Sequence, residues 1–190
     1  MTLTELLVPT LSQMLRALSN WLDKAAEYER SAGKDPNALM TLRLAPDMYP
    51  LAAQVRFVSY QAMEPAYRLR GEAVAEAALD VQREGWNANQ KPGTFDDAKA
   101  CLARSLAFLD ALPPGALDAG QDLTVSLALP NGVVFDMTGD QYARDWLLAQ
   151  FYFHINTAYG ILRHHGVELG KADYVPHVLA YLRPGTAPQA

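Results

Sequence analysis

The sequence has little cysteine, no cluster of basic residues and no long uncharged apolar run. Its single cysteine, Cys101, cannot form an internal disulfide, which is compatible with a reducing compartment. The N-terminus, MTLTELLVPT, carries an acidic residue where a secretory signal carries basic ones. We therefore expect a cytoplasmic protein.

The charge balance and the hydropathy pattern argue against two classes of partner. There are 16 Lys and Arg residues against 21 Asp and Glu residues, a net charge of -5, whereas binding to a phosphate backbone needs several cationic contacts. The longest uncharged run, residues 146–162, is shorter than the roughly 20 apolar residues that span a bilayer. We predict no nucleic-acid partner and no membrane partner.

Common catalytic motifs are absent as well. The sequence has no nucleophile elbow, no glycine-rich phosphate loop and no paired-cysteine zinc signature. Its own residues therefore leave open whether the protein is an enzyme. The length of 190 residues, half of them hydrophobic, suits one domain, predicted at residues 1–183, followed by a flexible C-terminal tail at residues 184–190.

Helix signals dominate the chain. Three predicted helix starts carry a hydroxyl followed three residues later by an acid or an amide, the pattern of a capping box: Thr2/Glu5, Thr94/Asp97 and Thr138/Gln141. We place helices at about 3–30, 47–70, 95–112 and 139–165. Pro9 and Pro65 fall inside the first two, so we expect a kink or late start near Pro9 and a bend near Pro65.

Two connections differ in character. Residues 72–93, with two glycines and a proline, are predicted to form a long surface connection. Residues 123–139 contain two β-branched arms around Asn131-Gly132, a pair that favours a tight two-residue turn with positive φ angles. The fold class is therefore all-α, a four-helix bundle with a β-hairpin inserted between the third and fourth helices.

The fourth predicted helix is apolar on nearly all sides. Such a helix must be covered all round, either at the centre of the bundle or by another subunit, and we favour a homodimer. His154 lies in its apolar middle, with Gln150 one turn earlier and Ala158 one turn later, so no second histidine shares that face. A lone histidine on an apolar helix is more often a hydrogen-bonded core residue than a metal ligand.

The other candidate side chains favour structural roles. His164 and His165 end the same helix, where the helix dipole favours a cation at the surface. His165 shares a face with His154, but eleven residues separate them by roughly 16 Å, too far to hold one metal. Cys101 lies on a core stripe without a nearby base in sequence, and His177 could not be placed.

The segment FYFHINTAYGILRHHGVELGKADY, residues 151–174, resembles the signature end of a bacterial family of unknown function within the DinB/YfiT-like superfamily of helical bundles. The resemblance covers most of the chain, including LTELLVPTLSQMLRALSNWLDKAAEY, PDMYPLAAQVRF and TFDDAKACLARSLAFL. It implies a four-helix bundle, often dimeric, whose typical members hold a divalent metal with three histidines. Some members transfer small thiols.

The resemblance also implies where a site would lie. The family's later pair of ligands projects onto Gln150 and His154, and its second-helix ligand onto or near Gln54. Two of the three positions are then amides, and an amide oxygen is a poor replacement for imidazole at a Zn or Ni centre. This departure predicts a degenerate metal position, in which only His154 could still ligate and no cofactor is expected.

Three functions follow from this interpretation. The leading one is binding of a small polar ligand by Gln54, Gln150 and His154. If there is a reaction, we expect small-molecule transfer or hydrolysis, with His154 as ligand or general base and the two glutamines orienting water or substrate. The second is a metal-dependent small-molecule hydrolase or thiol transferase that recruits a further ligand from elsewhere. The third is a non-catalytic dimeric interaction protein in which His154 is structural.

Overall fold

The computed structural model of the protein describes residues 1–186. Four helices precede a β-hairpin: α1 (Leu3–Ser31), α2 (Leu51–Arg68), α3 (Glu76–Asn87) and α4 (Phe95–Asp110). The hairpin leads into a long helical segment made of α5 (Gly139–Gln141), a π-helical stretch (Tyr142–Leu147) and α6 (Leu148–His164). The predicted helical bundle with an inserted hairpin is confirmed, and α1, α2, α4 and α6 correspond to the four predicted helices.

The first helix begins as its capping box predicts. The Thr2 side chain accepts from the amide of Glu5, and the Glu5 carboxylate accepts from the amide of Thr2 at 2.9 Å. The helix therefore starts at Leu3, as placed from the sequence, so of the kink or late start expected near Pro9 the late start does not occur. Pro9 lies inside the helix, only a few residues from its start.

The most enclosed helix is α2. Every residue from Leu51 to Tyr60 is buried, because α2 packs against α3, α4 and α6. It begins four residues later than predicted, after Pro50, whose extended backbone forms the N-cap. The centre of the bundle is thus α2, while α6 leaves Phe153 largely exposed.

The plain surface connection predicted for residues 72–93 is wrong, because this segment contains the helix α3. This helix packs on α2 through Ala78, Val81 and Gly85. A Cβ at Gly85 would lie 2.6 Å from Cε1 of Phe57, so the glycine permits close helix packing. One of the two glycines of the predicted connection, Gly85, therefore lies within a helix, so the predicted connection is wrong at this position.

The hairpin pairs β1 (Thr124–Ala128) with β2 (Val134–Thr138) in antiparallel register. Its loop has three residues, since Leu129 donates to the carbonyl of Val133 at 2.8 Å and Gly132 donates to Leu129 at 2.9 Å. Gly132 has a φ of 86°, whereas no residue other than glycine has a positive φ within residues 1–186. The predicted two-residue turn is therefore replaced by the longer form that needs one left-handed glycine.

The helical segment after the hairpin matches the predicted 139–165 helix, but its π-helical stretch was not foreseen. The C-terminal part adds the short helix α7 (Lys171–Tyr174) and a 3-10 turn (Pro176–Tyr181). The division into one domain, residues 1–183, remains a prediction, and residues 187–190 of the predicted tail lie outside the described residues. Within the described chain no helix is both long enough and apolar enough to cross a membrane.

Candidate functional site

A cavity of about 640 Å³ lies between α2, α3, the hairpin and the π-helical and α6 segments. Small-molecule sites in proteins fall in this range of volume. Its wall is largely aromatic and apolar, and the hairpin closes one side. The aromatic and hairpin lining residues are Tyr49, Phe57, Tyr60, Trp86, Trp146, Leu127, Ala128, Leu129 and Pro130.

Two helix faces supply most of the polar residues of the cavity, and Gln82 on α3 adds another. On α2, Phe57, Gln61, Glu64 and Arg68 recur at three- and four-residue spacing, which places them along one face. Across from them Trp146, Gln150 and His154 repeat at four-residue spacing. The cavity thus runs along α2, with His154 near the beginning of that helix and Arg68 at its end.

His154 is held by Gln54. Its Nδ1 lies 2.7 Å from Oε1 of Gln54, and Nε2 of Gln54 donates to the carbonyl oxygen of Tyr49 at 3.2 Å. Since the Gln54 amide uses its nitrogen on Tyr49, its oxygen accepts, and Nδ1 of His154 is the donor. The other ring nitrogen, Nε2, is left as an acceptor, and within residues 1–186 the ring's hydrogen bond is the one at Nδ1.

Burial lowers the pKa of His154 from 6.5 to about 4. The ring packs at a tilt on Phe57, with 4.9 Å between centroids, and edge-to-face against Phe153 at 5.3 Å. These apolar neighbours disfavour the imidazolium, because a half-buried charge loses hydration without gaining a counterion. His154 is therefore neutral at pH 7 and offers one uncharged acceptor to the cavity.

The predicted site residues are brought together in part. Gln54 and His154 are hydrogen-bonded, and Gln150 lies on the cavity wall one turn before His154. Gln54 itself is buried behind the imidazole, so it positions His154 and is not part of the cavity wall.

The remaining candidates lie elsewhere. His164 is exposed, His165 has its Nε2 3.1 Å from the carbonyl oxygen of Arg43, and His177 lies in the C-terminal 3-10 turn. Cys101 is buried beside Tyr60, Met63, Ala78 and Val81, and burial raises the pKa of its thiol. These surroundings are those of a small core residue, and they do not activate a thiol.

The comparisons with known proteins agree with this architecture. A family model described as a domain of unknown function, DUF1993, matches residues 3–175. The chain belongs to this family. The crystal structure of a DinB family member protein from Shewanella denitrificans is similar, with 30% sequence identity and a TM-score of 0.73. That alignment covers 98% of this chain and 96% of the other, whereas a search of the curated proteins found no significant match.

The residues of this DUF1993 domain do not fit a three-histidine metal centre. Gln54 and Gln150 are amides, which are poor metal ligands, and the oxygen of Gln54 already accepts from His154. At this position His154 is then the one residue that could offer an imidazole nitrogen to a metal. Elsewhere in residues 1–186 no group of three His, Cys, Asp or Glu side chains is placed to hold a metal.

A buried polar cluster at the other end of the cavity was not predicted from the sequence. Glu64, 3% exposed, forms an ion pair with Arg68 and accepts a 3.0 Å hydrogen bond from the hydroxyl of Tyr142. Tyr142 begins the π-helical stretch, a rare conformation that often occurs at functional sites. The available signal was the pair of opposite charges at four-residue spacing on a helix with one other charged side chain, Arg56.

Proposed function

We propose that this DUF1993 protein binds a small polar molecule in the cavity beside His154. The observation that carries the proposal is the unpartnered Nε2 of a neutral imidazole, which faces a cavity large enough for a small molecule. Nε2 is an acceptor on a residue of the cavity wall, and a ligand that donates a hydrogen bond would satisfy it.

In this proposal Gln54 and Gln150 have different roles. Gln54 fixes the orientation and the tautomer of the imidazole through Nδ1, much as hydrogen-bonded neighbours orient functional histidines. The Gln150 amide, which makes no side-chain hydrogen bond within residues 1–186, lies on the cavity wall and contacts the ligand directly. The aromatic rings enclose the apolar part of the molecule.

Binding is favoured over general-base catalysis. A base with a pKa of about 4 is mostly deprotonated at pH 7 but has little affinity for a proton, so it accelerates proton abstraction weakly. The same neutral state suits a hydrogen-bond acceptor. The single cysteine supports placing this binding function in the cytoplasm.

The test is a screen of small hydrogen-bond donors against 13C-labelled protein, followed through the Cε1–Hε1 resonance of His154. We expect ligands that shift this resonance to lose their affinity in His154→Ala and to keep it in His164→Ala, an exposed histidine on the same helix. Near-ultraviolet circular dichroism checks that each variant is folded. Hits that bind a folded His154→Ala protein equally well would overturn the proposal.

Self-association is a second candidate, and a specific observation favours it. Phe153 on α6 is 59% exposed, and Val134 and Phe135 on β2 are 56% and 41% exposed. Phe135 packs on Trp146, seven residues before Phe153, so these side chains lie on one side of the molecule. A second copy of the chain covering this surface would give the homodimer expected from the sequence.

A further inference from the structure

The cavity wall carries three glutamines, and their amides indicate what kind of molecule fits there. The inference rests on the proposed binding function. Gln61 lies on α2, Gln82 on α3 and Gln150 on α6, so the amides come from three elements around one cavity. Within residues 1–186 none of these amides makes a side-chain hydrogen bond to another residue. A carboxamide is neutral and carries one acceptor oxygen and two N–H donors, so the wall suits a ligand with both kinds of group.

Gln61 has the strongest need of a partner. Its Oε1 is buried and has no hydrogen-bond partner within residues 1–186. Buried polar atoms in folded proteins nearly always have one. The last torsion of a glutamine side chain is broad, so the amide oxygen can turn toward a donor that enters the cavity. A ligand that donates to Gln61 would satisfy an atom that the described protein leaves unpaired.

The charged groups of the cavity are engaged with one another. The two charged side chains on its wall, Glu64 and Arg68, form an ion pair, and Glu64 also accepts a 3.0 Å hydrogen bond from the hydroxyl of Tyr142. Nη1 of Arg68 donates to the carbonyl oxygen of Ser126 at 3.3 Å. His154 is neutral at pH 7, so the wall formed by the described residues carries no net charge. A charged ligand would lose hydration without gaining a counterion, whereas an uncharged one avoids that cost.

Gln150 and His154 provide two complementary groups side by side. They lie one turn apart on the same face of α6, which places their Cβ atoms about 5–6 Å apart. Nε2 of His154 accepts a hydrogen bond, and the Gln150 amide both accepts and donates. A molecule that meets both groups needs a donor with an acceptor close to it. A ring N–H beside a carbonyl oxygen has this pattern, and glutamine amides recognise donor–acceptor edges of nucleobases in the same bidentate way.

Aromatic side chains surround these polar groups. Tyr49, Phe57, Trp86 and Trp146 contribute rings to the cavity wall. A planar ring ligand can stack on such rings, because its faces are apolar while its polar atoms lie along the edge. Hydrogen bonding at the edge and stacking on the faces therefore suit the same molecule.

We infer that the cavity binds an uncharged, planar nitrogen heterocycle whose edge carries N–H groups beside carbonyl oxygens, as in oxo-pyrimidines such as uracil. One ring N–H donates to Nε2 of His154, the neighbouring carbonyl oxygen accepts from the Gln150 amide, and a second N–H donates to Gln61. Aromatic side chains of the wall pack on the faces of the ring.

Four small probes test this inference with the intact protein: uracil, 5,6-dihydrouracil, 1,3-dimethyluracil and orotate. Dihydrouracil keeps both N–H groups but loses the planar ring, dimethyluracil keeps the ring but loses both donors, and orotate adds a carboxylate to uracil. Kd values are measured by NMR titration of 15N- and 13C-labelled protein, followed at the side-chain amides and at Cε1–Hε1 of His154. We expect uracil to bind at least about ten times more tightly than dimethyluracil and orotate, and at least about three times more tightly than dihydrouracil.

Gln150→Leu removes one amide from the site and keeps a side chain of similar size. We expect the Kd of uracil to rise about five- to tenfold, as for one lost hydrogen bond. The matched control is Gln90→Leu, an exposed glutamine after α3 outside the cavity lining, which should leave this Kd unchanged. Near-ultraviolet circular dichroism checks the fold of both variants. The comparison of the four probes uses wild type alone, so it decides the inference even if Gln150→Leu does not fold.

The outcomes separate this inference from the proposed function. Binding of orotate or 1,3-dimethyluracil as tight as that of uracil, or an unchanged Kd in folded Gln150→Leu, would overturn the heterocycle. If uracil does not bind, the inference is also wrong, and the donor screen on His154 still decides the proposed function. Uracil that binds a folded His154→Ala protein as tightly as wild type would contradict both.

Discussion

Nδ1 of His154 lies 2.7 Å from Oε1 of Gln54, although the two residues are 100 positions apart in the sequence. This contact joins α6 to α2 and determines which ring nitrogen carries the proton. Because Gln54 is buried and its own nitrogen is used by Tyr49, the imidazole has one orientation and one tautomer. Nε2 is therefore the ring nitrogen that the proposed ligand would contact.

The lowered pKa of His154 predicts that the free energy of unfolding depends on pH. Its folded pKa, about 4, lies below the ordinary value of 6.5, so the unfolded chain binds more protons between these two pH values. His154 should therefore reduce the free energy of unfolding as the pH falls from about 6.5 to 4, by roughly 3 kcal/mol at most. Above pH 6.5 it should contribute no pH dependence.

Urea unfolding at pH 7 and pH 4.5 measures this effect. Part of the loss at low pH comes from carboxylates, so wild type is compared with His154→Gln, which should lose less stability over the same interval. His164→Gln, at an exposed position, should behave as wild type. Equal losses in wild type and His154→Gln would show that His154 titrates normally.

Replacing Gln54 with glutamate should raise the pKa of His154. A carboxylate beside Nδ1–H favours the imidazolium, and opposite charges at this distance shift a pKa by about 1 to 3 units. The change is measured by NMR titration of the His154 ring protons. Gln82→Glu, on the α3 side of the cavity, is the control and should shift the pKa of His154 less. A pKa that stays near 4 in Gln54→Glu would mean that the two side chains are not in contact.

The bundle could be predicted from the sequence because its signals are local. Capping pairs such as Thr2 and Glu5 form as expected, and the apolar spacing of α1 and α4 determines which faces are buried. The helix α3 was missed because Gly85 is a helix-breaking signal in sequence. Glycine is needed at this position because the Phe57 ring approaches it closely, and that approach depends on the packing of α2 against α3.

The site could be predicted only to the level of residue identities. Helical spacing places Gln150 and His154 on one face, and the family resemblance adds Gln54, but neither gives the hydrogen bond between Gln54 and His154. The Glu64, Arg68 and Tyr142 cluster depends on the register of the π-helical stretch, for which the sequence carries no local signal. Long-range polar contacts of this kind require the three-dimensional arrangement.

Gly85→Ala should destabilise the protein. The added Cβ would lie 2.6 Å from Cε1 of Phe57, and Phe57 is itself enclosed, so the helices must move apart at a cost of about 1 to 3 kcal/mol. The matched control is Gly160→Ala, another helical glycine, whose Cβ would make ordinary contact with Leu44 at 3.5 Å. That change should be neutral or stabilising by up to about 1 kcal/mol. Thermal unfolding of both variants tests the contrast, which disappears if α3 does not pack on Phe57.

The amide-rich donor set predicts that the protein holds less than one divalent metal per chain. Untagged protein is dialysed against trace zinc, nickel and manganese, and its metal content is measured by elemental analysis. We expect equal, substoichiometric values in wild type and His154→Ala, because the amides of Gln54 and Gln150 bind zinc or nickel much more weakly than imidazole does. About one metal per chain in wild type, lost in His154→Ala, would instead favour the metal-dependent hydrolase or thiol transferase.

The last prediction is that the protein dimerises through the surface that contains the exposed side chain of Phe153. Burial of an aromatic side chain between two copies contributes strongly to association, and a charge at the same position opposes it. Sedimentation of wild type at micromolar concentration should give a dimer, and Phe153→Glu should shift the protein to the monomer without changing its circular dichroism. Glu168→Lys, an exposed charge change after α6, is the control and should leave the dimer intact. A wild-type monomer at these concentrations would exclude this surface as a stable dimer interface and leave the cavity as the main functional candidate.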